Sequence, residues 1–137
     1  MKRGAAHFIF VSFSFGLIAS PLLAERNLIP SLESIPNVCP ERPIEPEWMQ
    51  NIALRDAYQR VLVQDVYRAQ NMARVVETGS CDCDVRFPTW DTAEDTFREN
   101  HANADRSEML QASDTYNRRA NDLRPEAQPM CEAAGNW

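Results

Sequence analysis

Lysine is nearly missing from this sequence. Lys2 is the only lysine among 14 basic residues, and all the others are arginines. Reactions that proceed through a lysine amine are therefore excluded. Acidic residues outnumber basic ones by 20 to 14, and no segment gathers the arginines into a basic stripe. Because binding to nucleic acid or to an anionic membrane surface depends on positive charge, we expect neither as a partner.

Glycine and histidine are also scarce. Two of the four glycines lie within residues 1–24, so no glycine-rich phosphate loop can form. His101 is the only histidine after residue 24, which excludes a multi-histidine metal site; we expect it on the inner side of a helix. Carboxylates are common, but without the loop glycine of an EF-hand they indicate a solvated helix face: Asp91, Glu94, Asp95 and Glu99. We predict no enzyme, metal or cofactor.

Long apolar runs are confined to the N-terminus. Two positive residues precede an apolar stretch over residues 8–19, and Ala24 offers a small residue for cleavage. This pattern predicts a secretory signal peptide over residues 1–24. Leu22 fits the cleavage site poorly, so cleavage after Ala19 or Ser20 is the alternative. The run is shorter than the ~20 residues of a membrane span, which favours a periplasmic or secreted protein, without a stable span, over an uncleaved anchor.

The mature chain is more acidic than the precursor. Removing Lys2 and Arg3 takes the formal net charge from −6 to −8. Four cysteines remain, an even number that in a short exported chain predicts structural disulfides: Cys39, Cys81, Cys83 and Cys131.

Two parts follow the signal peptide. Residues 25–46 contain five prolines and predict an extended arm without secondary structure. Residues 47–137 predict a helical domain. Apolar residues recur at steps of three and four over residues 47–78, which predicts one long helix that stops at Gly79.

The rest of the helical domain has weaker boundaries. Thr89 can cap a second helix. Asp105 and Glu108 have the form of a capping box, so a third helix begins there, or the second helix bends. Pro125 and Pro129 are each expected to end or kink it. No segment alternates at period two, so we predict an all-α fold, a helical hairpin or three-helix bundle with disulfides.

Helix length constrains the disulfide pairing. A straight helix over residues 47–78 would be about 45 Å long at ~1.5 Å per residue, whereas the arm after Cys39 can span only ~26 Å. We therefore expect Cys39 to pair with Cys131, which leaves Cys81 and Cys83 as a local ring. If the second and third helices fold on each other, Cys131 can instead approach Cys81 or Cys83.

The closely spaced Cys81 and Cys83 also suggest a redox-active dithiol. Asp82 and Asp84 should raise the pKa of a neighbouring thiol, and no histidine or lysine is adjacent. A zinc site is disfavoured by the ligand spacing. A structural role is the preferred interpretation.

Aromatic and arginine residues are the candidate partner contacts. Trp, Tyr and Arg are favoured anchors of protein interfaces, and four residues are possible partner contacts here: Trp90, Arg118, Arg119 and Trp137. For Trp90 the preferred interpretation is packing of the second helix on the first, and for the two arginines it is a solvated or ion-paired face; a partner contact is the alternative for these three.

Three strings carry a family resemblance: CDCDVRFPTWD at residues 81–91, YNRRAN at residues 116–121 and CEAAGNW at residues 131–137. In these strings the chain resembles small exported proteins that accompany conjugation-type (type IV secretion) gene clusters of alphaproteobacteria. The resemblance implies a periplasmic or pilus-associated accessory part, with envelope or secretion-apparatus proteins as its partners. A thiol–disulfide exchange protein and a small secreted inhibitor or immunity-like binder are the alternatives.

Overall fold

The computed structural model describes Cys39 and residues 42–137. The predicted signal peptide and all of the arm except Cys39 and residues 42–46 lie outside the described residues. Residues 42–46 carry no regular secondary structure, in agreement with the predicted arm.

Every regular element of the described residues is helical, so the predicted all-α fold is confirmed. The elements are α1 (Glu47–Gln50), a 3-10 turn (Leu54–Asp56), α2 (Ala57–Thr78), α3 (Cys83–Arg86), α4 (Asp91–Asn100) and α5 (Arg106–Ala133). None of these helices combines the length and the apolar character that a membrane crossing requires.

The predicted single helix over residues 47–78 is wrong at its start. Asn51 closes α1 with its N–H on the Glu47 carbonyl, and the chain then passes through an extended Ala53 before the 3-10 turn. The break lets α1 turn inward, where Met49 is fully buried and Trp48 stacks on Phe97. Tertiary packing therefore overrides the helical periodicity of this segment.

The predicted stop of the first long helix is confirmed. Gly79 has a left-handed backbone, with φ of 65°, and donates its N–H to the Val75 carbonyl. Glycine is favoured there because it has no Cβ to oppose a positive φ.

Helix α2 is the central element, because both α4 and α5 pack on it. Two core clusters follow its length. The first contains Met49, Leu62, Val63, Val66, Tyr67, Trp90, Ala93 and Met109, and the second contains Ala69, Met72, Val75, Cys81, Ala120, Ala127 and Cys131. Burial of each large apolar side chain contributes about 1.5–3 kcal/mol, so these clusters hold the three helices together.

Helix α5 begins at the predicted capping box, which decides between a third helix and a bend. Asp105 Oδ1 accepts the Glu108 N–H at 2.9 Å, and Glu108 Oε2 accepts the Asp105 N–H at 2.7 Å. The two bonds satisfy donors that a helix start leaves without partners.

Neither Pro125 nor Pro129 ends α5, so of the two predicted outcomes, an end or a kink, the end is wrong. A proline inside a helix removes a hydrogen bond and crowds the preceding turn. Here the residues beyond each proline are fixed from outside: Ala127 and Cys131 are fully buried against α2, and Cys131 is covalently bound. Packing and the disulfide therefore hold the helix across both prolines.

The disulfide pairing differs from the one predicted. Cys39 is bonded to Cys83, and Cys81 is bonded to Cys131. The predicted Cys39–Cys131 pair and the Cys81–Cys83 ring are wrong, although Cys131 does reach Cys81, which was the alternative.

The position of the arm explains the error. Glu45 lies beside the first third of α2, where its carboxylate accepts hydrogen bonds from Arg60 and Gln64. From Gln64 the remaining two-thirds of α2 rises about 21 Å at ~1.5 Å per residue. The six residue steps from Glu45 back to Cys39 can span about 20 Å at ~3.3 Å per residue, which brings Cys39 to the end of α2 where Cys83 lies. The arm therefore runs back along α2 instead of starting from the far end of a single straight helix.

Replacing Asp105 by alanine is expected to lower the free energy of unfolding by about 1 kcal/mol. Both bonds of the capping box would be lost, while the core would stay intact. Denaturant unfolding followed by circular dichroism measures the change. Asp114→Ala, at an exposed position within α5, is the matched control and should change stability by less than about 0.5 kcal/mol. Equal effects of the two substitutions would contradict the capping role.

Candidate functional site: an arginine-lined groove

The C-terminal tail is held by the side chain of Asn136. Its Oδ1 accepts the Cys39 N–H at 2.9 Å, and its Nδ2 donates to the Cys81 carbonyl at 2.7 Å. Asn136 is buried, and Gly135, with φ of 73°, turns the chain into this position. One amide therefore joins the arm, the loop after α2 and the tail.

Trp137 follows this anchor and lies at the surface. Its side chain is 42% exposed. The guanidinium carbons of Arg86 and Arg124 lie 5.2 Å and 5.3 Å from the centre of its ring. Arg86 also lies 4.7 Å above the ring of Phe87, so its guanidinium contacts two aromatic rings. Cation–π contacts of this kind favour a fixed position for the arginine.

Two adjoining depressions surround Arg86. One has a volume of about 310 Å³ and the other of about 140 Å³, and both are lined by Arg68, Met72 and Arg86. Arg42 lines the larger depression, and Arg124 and Trp137 line the smaller. We call this surface the arginine groove and define it by Arg42, Arg68, Met72, Arg86, Arg124 and Trp137.

The arginines of the groove have no carboxylate partner among the described residues. In the described part of the chain, the ion pairs are made by three arginines outside the groove: Arg55, Arg60 and Arg98. Arg68 donates to the carbonyl and side-chain oxygens of Asn117. Asp65 also lines the larger depression, but its carboxylate accepts the hydroxyl of Ser113. The groove therefore carries an excess of positive charge on an acidic protein.

Arg86 is the most constrained of these arginines. Its Nε is buried and has no hydrogen-bond acceptor within the described part of the chain. Burial lowers the pKa of the Arg86 guanidinium from its usual range, because desolvation opposes the charged form. Nearby, burial raises the pKa of the Tyr67 hydroxyl, which donates to the Pro88 carbonyl at 2.8 Å.

The structure separates the four predicted partner contacts. Trp137 is part of the arginine groove. Arg118 and Arg119 are exposed on α5 but do not line it. Trp90 is only 3% exposed, so its assignment as a partner contact is corrected. It stacks on Tyr67 with ring centres 4.0 Å apart and donates Nε1–H to the Pro43 carbonyl, as the preferred helix-packing interpretation predicts.

Cys81 and Cys83 do not form a dithiol pair, because each is bonded to a distant cysteine.

His101 is half-buried, contacts the ring of Tyr116 edge-on and lines an open depression of about 650 Å³. Of the predicted acidic face on α4, Glu94 is half-buried and accepts the Trp48 indole N–H at 2.7 Å. The other three carboxylates are exposed: Asp91, Asp95 and Glu99.

Sequence reasoning missed Asn136 and the groove. The residues of the groove come from the arm, α2, α3, α5 and the tail, and no local spacing relates them. The only available signal for Asn136 was its position between a glycine that permits a turn and an aromatic residue.

Replacing Asn136 by alanine is expected to lower the free energy of unfolding by about 1–3 kcal/mol, because the buried Cys81 carbonyl loses its donor. For a domain of this size, the melting temperature should fall by at least about 4 °C. Hydrogen exchange should also accelerate at the Cys39 amide, which loses its acceptor. Asn121→Ala, on the exposed face of α5, is the control. Unchanged exchange at Cys39 would refute the anchoring role.

No protein-family model, curated protein or solved structure matches this chain. The function is therefore inferred from the geometry described above and from the strings that carry the resemblance.

Proposed function

We propose that this chain is an exported protein that acts by binding another protein, through a surface centred on Trp137. The observation that carries the proposal is the fixed position of this side chain. Asn136 anchors the residue before it, while Arg86 and Arg124 contact its ring. Trp and Arg are enriched among residues that dominate interface energies, and a preordered side chain loses less entropy on binding.

The disulfides support the proposal that the protein is exported to an oxidising compartment. Both cysteine pairs are bonded, and such bonds persist in oxidising, extracellular environments. Together with the signal-peptide pattern of residues 1–24, they favour the periplasm or secretion from the cell. The same two bonds join the arm, the loop after α2 and α5 covalently.

The more specific proposal is an accessory role in a type IV secretion (conjugation) apparatus. Its support is the three strings at residues 81–91, 116–121 and 131–137. Two of them supply parts of the candidate surface, since Arg86 and Phe87 belong to the first and Asn136 and Trp137 to the third. Envelope or secretion-apparatus proteins are the partners this role requires.

Site-specific photo-crosslinking in the source cells tests both levels of the proposal. A photoreactive amino acid at position 137 should give one discrete adduct. The same amino acid at position 54, where Leu54 is 92% exposed at the other end of α2, should not. An envelope or secretion component in the adduct supports the specific role. A single soluble target would favour the inhibitor or immunity-like alternative, and equal labelling from both positions would refute the binding surface.

A further inference from the structure

We propose that the arginine groove recognises the carboxylates of an acidic peptide segment. This inference rests on the proposed function and specifies the chemistry of the partner. Charge complementarity identifies the occupant: four arginines line the groove, namely Arg42, Arg68, Arg86 and Arg124.

The groove is distinguished by the grouping of its unpaired arginines. Among the described residues, ion pairs are made by Arg55, Arg60 and Arg98. Arginines outside the groove such as Arg106 and Arg118 also lack a carboxylate partner there, but only in the groove do four of them line adjoining depressions. The chain has 20 acidic residues, yet no described carboxylate forms an ion pair with an arginine of the groove. Like positive charges close together raise each other's energy unless an anion separates them.

Arg86 supplies the directional part of recognition. Phe87 and Trp137 contact its guanidinium, so the planar fork is oriented before a ligand arrives. A carboxylate can accept two parallel hydrogen bonds from such a fork. The buried and unpartnered Nε of Arg86 shows that its charge is already partly removed from water. A carboxylate would therefore replace hydration that Arg86 has lost.

The size and the apolar lining of the groove favour a peptide over a simple anion. Met72 lies between the two depressions and Trp137 borders one of them, so apolar side chains would be accommodated beside the carboxylates. The net charge of −6 for the whole chain opposes long polyanions, since repulsion acts over the whole length of a nucleic acid. An acidic segment of a few residues meets only the local positive field.

Fluorescence anisotropy with short peptides tests the recognition. The probe is a fluorescein-labelled, C-terminally amidated hexapeptide of alternating Glu and Leu, and the matched control peptide carries Gln in place of Glu. The mature, oxidised protein should bind the Glu peptide at least about tenfold more tightly than the Gln peptide, as the loss of one charged hydrogen-bond pair predicts. Binding should weaken between about 0.05 M and about 0.5 M salt because surface charges are screened.

Arginine variants locate the binding. Arg86→Gln and Arg124→Gln should each weaken binding of the Glu peptide about tenfold. Arg55→Gln removes the same charge from a side chain that is 87% exposed and should leave affinity unchanged. Arg86→Gln also removes a contact of the Trp137 ring. Arg42→Gln, at an exposed position of the arm, leaves that contact in place and should likewise weaken binding of the Glu peptide. Circular dichroism and melting temperature confirm the fold of each variant.

Three results would overturn the inference: equal affinity for the Glu and Gln peptides, groove variants that bind as Arg55→Gln does, or binding of inorganic phosphate, measured by calorimetry, with no affinity for the Glu peptide. The last result would identify a phosphate site. A position-137 adduct that persists unchanged in the Arg86→Gln protein would refute carboxylate recognition and leave protein binding in place. Loss of the position-137 adduct in the Arg86→Gln protein, together with retained binding of the Glu peptide by the Arg55→Gln protein, would support both carboxylate recognition and protein binding.

Discussion

Replacing Cys81 and Cys131 together by alanine should lower the free energy of unfolding by about 4 kcal/mol. The bond closes a loop over a sequence separation of 50 residues, and cross-linking a loop of this length restricts the unfolded chain by about that amount. Both sulfurs are also buried in the second core cluster, so their removal leaves unfilled space. Urea unfolding of the oxidised protein and the variant measures the difference.

The other disulfide provides the matched comparison. Cys39 and Cys83 are separated by 44 residues, so the entropic contribution is nearly the same, but both residues are only half-buried. Cys39→Ala with Cys83→Ala should therefore destabilise the protein less than the first pair does. If the Cys81–Cys131 variant melted at the same temperature as the unmodified protein, a structural role for that bond would be untenable.

Trp90→Ala should destabilise the protein by about 3–5 kcal/mol, the range measured for removing a buried aromatic side chain. Its indole stacks on Tyr67 and donates Nε1–H to the Pro43 carbonyl, so the substitution leaves a cavity in the first core cluster and an unpaired carbonyl. Thermal unfolding followed by circular dichroism measures the effect.

Trp137→Ala is the matched control, because it removes the same side chain from a half-exposed position. Its effect on stability should stay below about 1 kcal/mol, while peptide binding at the groove should weaken. A similar loss of stability in both variants would mean that Trp137 is a structural residue, and a negligible loss for Trp90→Ala would contradict the packing described for it.

Two local signals predicted the local structure correctly, and one did not: the N-cap residue of α4 is Trp90 and not Thr89, and it makes no side-chain cap hydrogen bond. Asp105 and Glu108 are three residues apart, and this spacing alone marks the start of α5. Gly79 similarly marks the end of α2. In both places the hydrogen bonds that decide the backbone are made within one helical turn, so the sequence contains all that is needed.

Features that depend on distant contacts were missed. The disulfide pairing depends on where Glu45 meets α2, and the survival of α5 beyond Pro125 depends on burial of Ala127 and on the Cys81–Cys131 bond. The arginine groove could not be predicted from any local sequence pattern, because its positive charge comes from residues as far apart in the chain as Arg42 and Arg124. Only the packed chain brings them together.

The spacing of Cys81 and Cys83 has a mechanical consequence. A pulling force that enters the domain at Cys39 crosses to Cys83, passes through one intervening residue to Cys81 and leaves through Cys131. This load path consists entirely of covalent bonds and bypasses the packing between α2 and α5. Tension between the arm and the end of α5 would therefore be carried without separating α5 from α2. The surface around Trp137 would keep its shape under load.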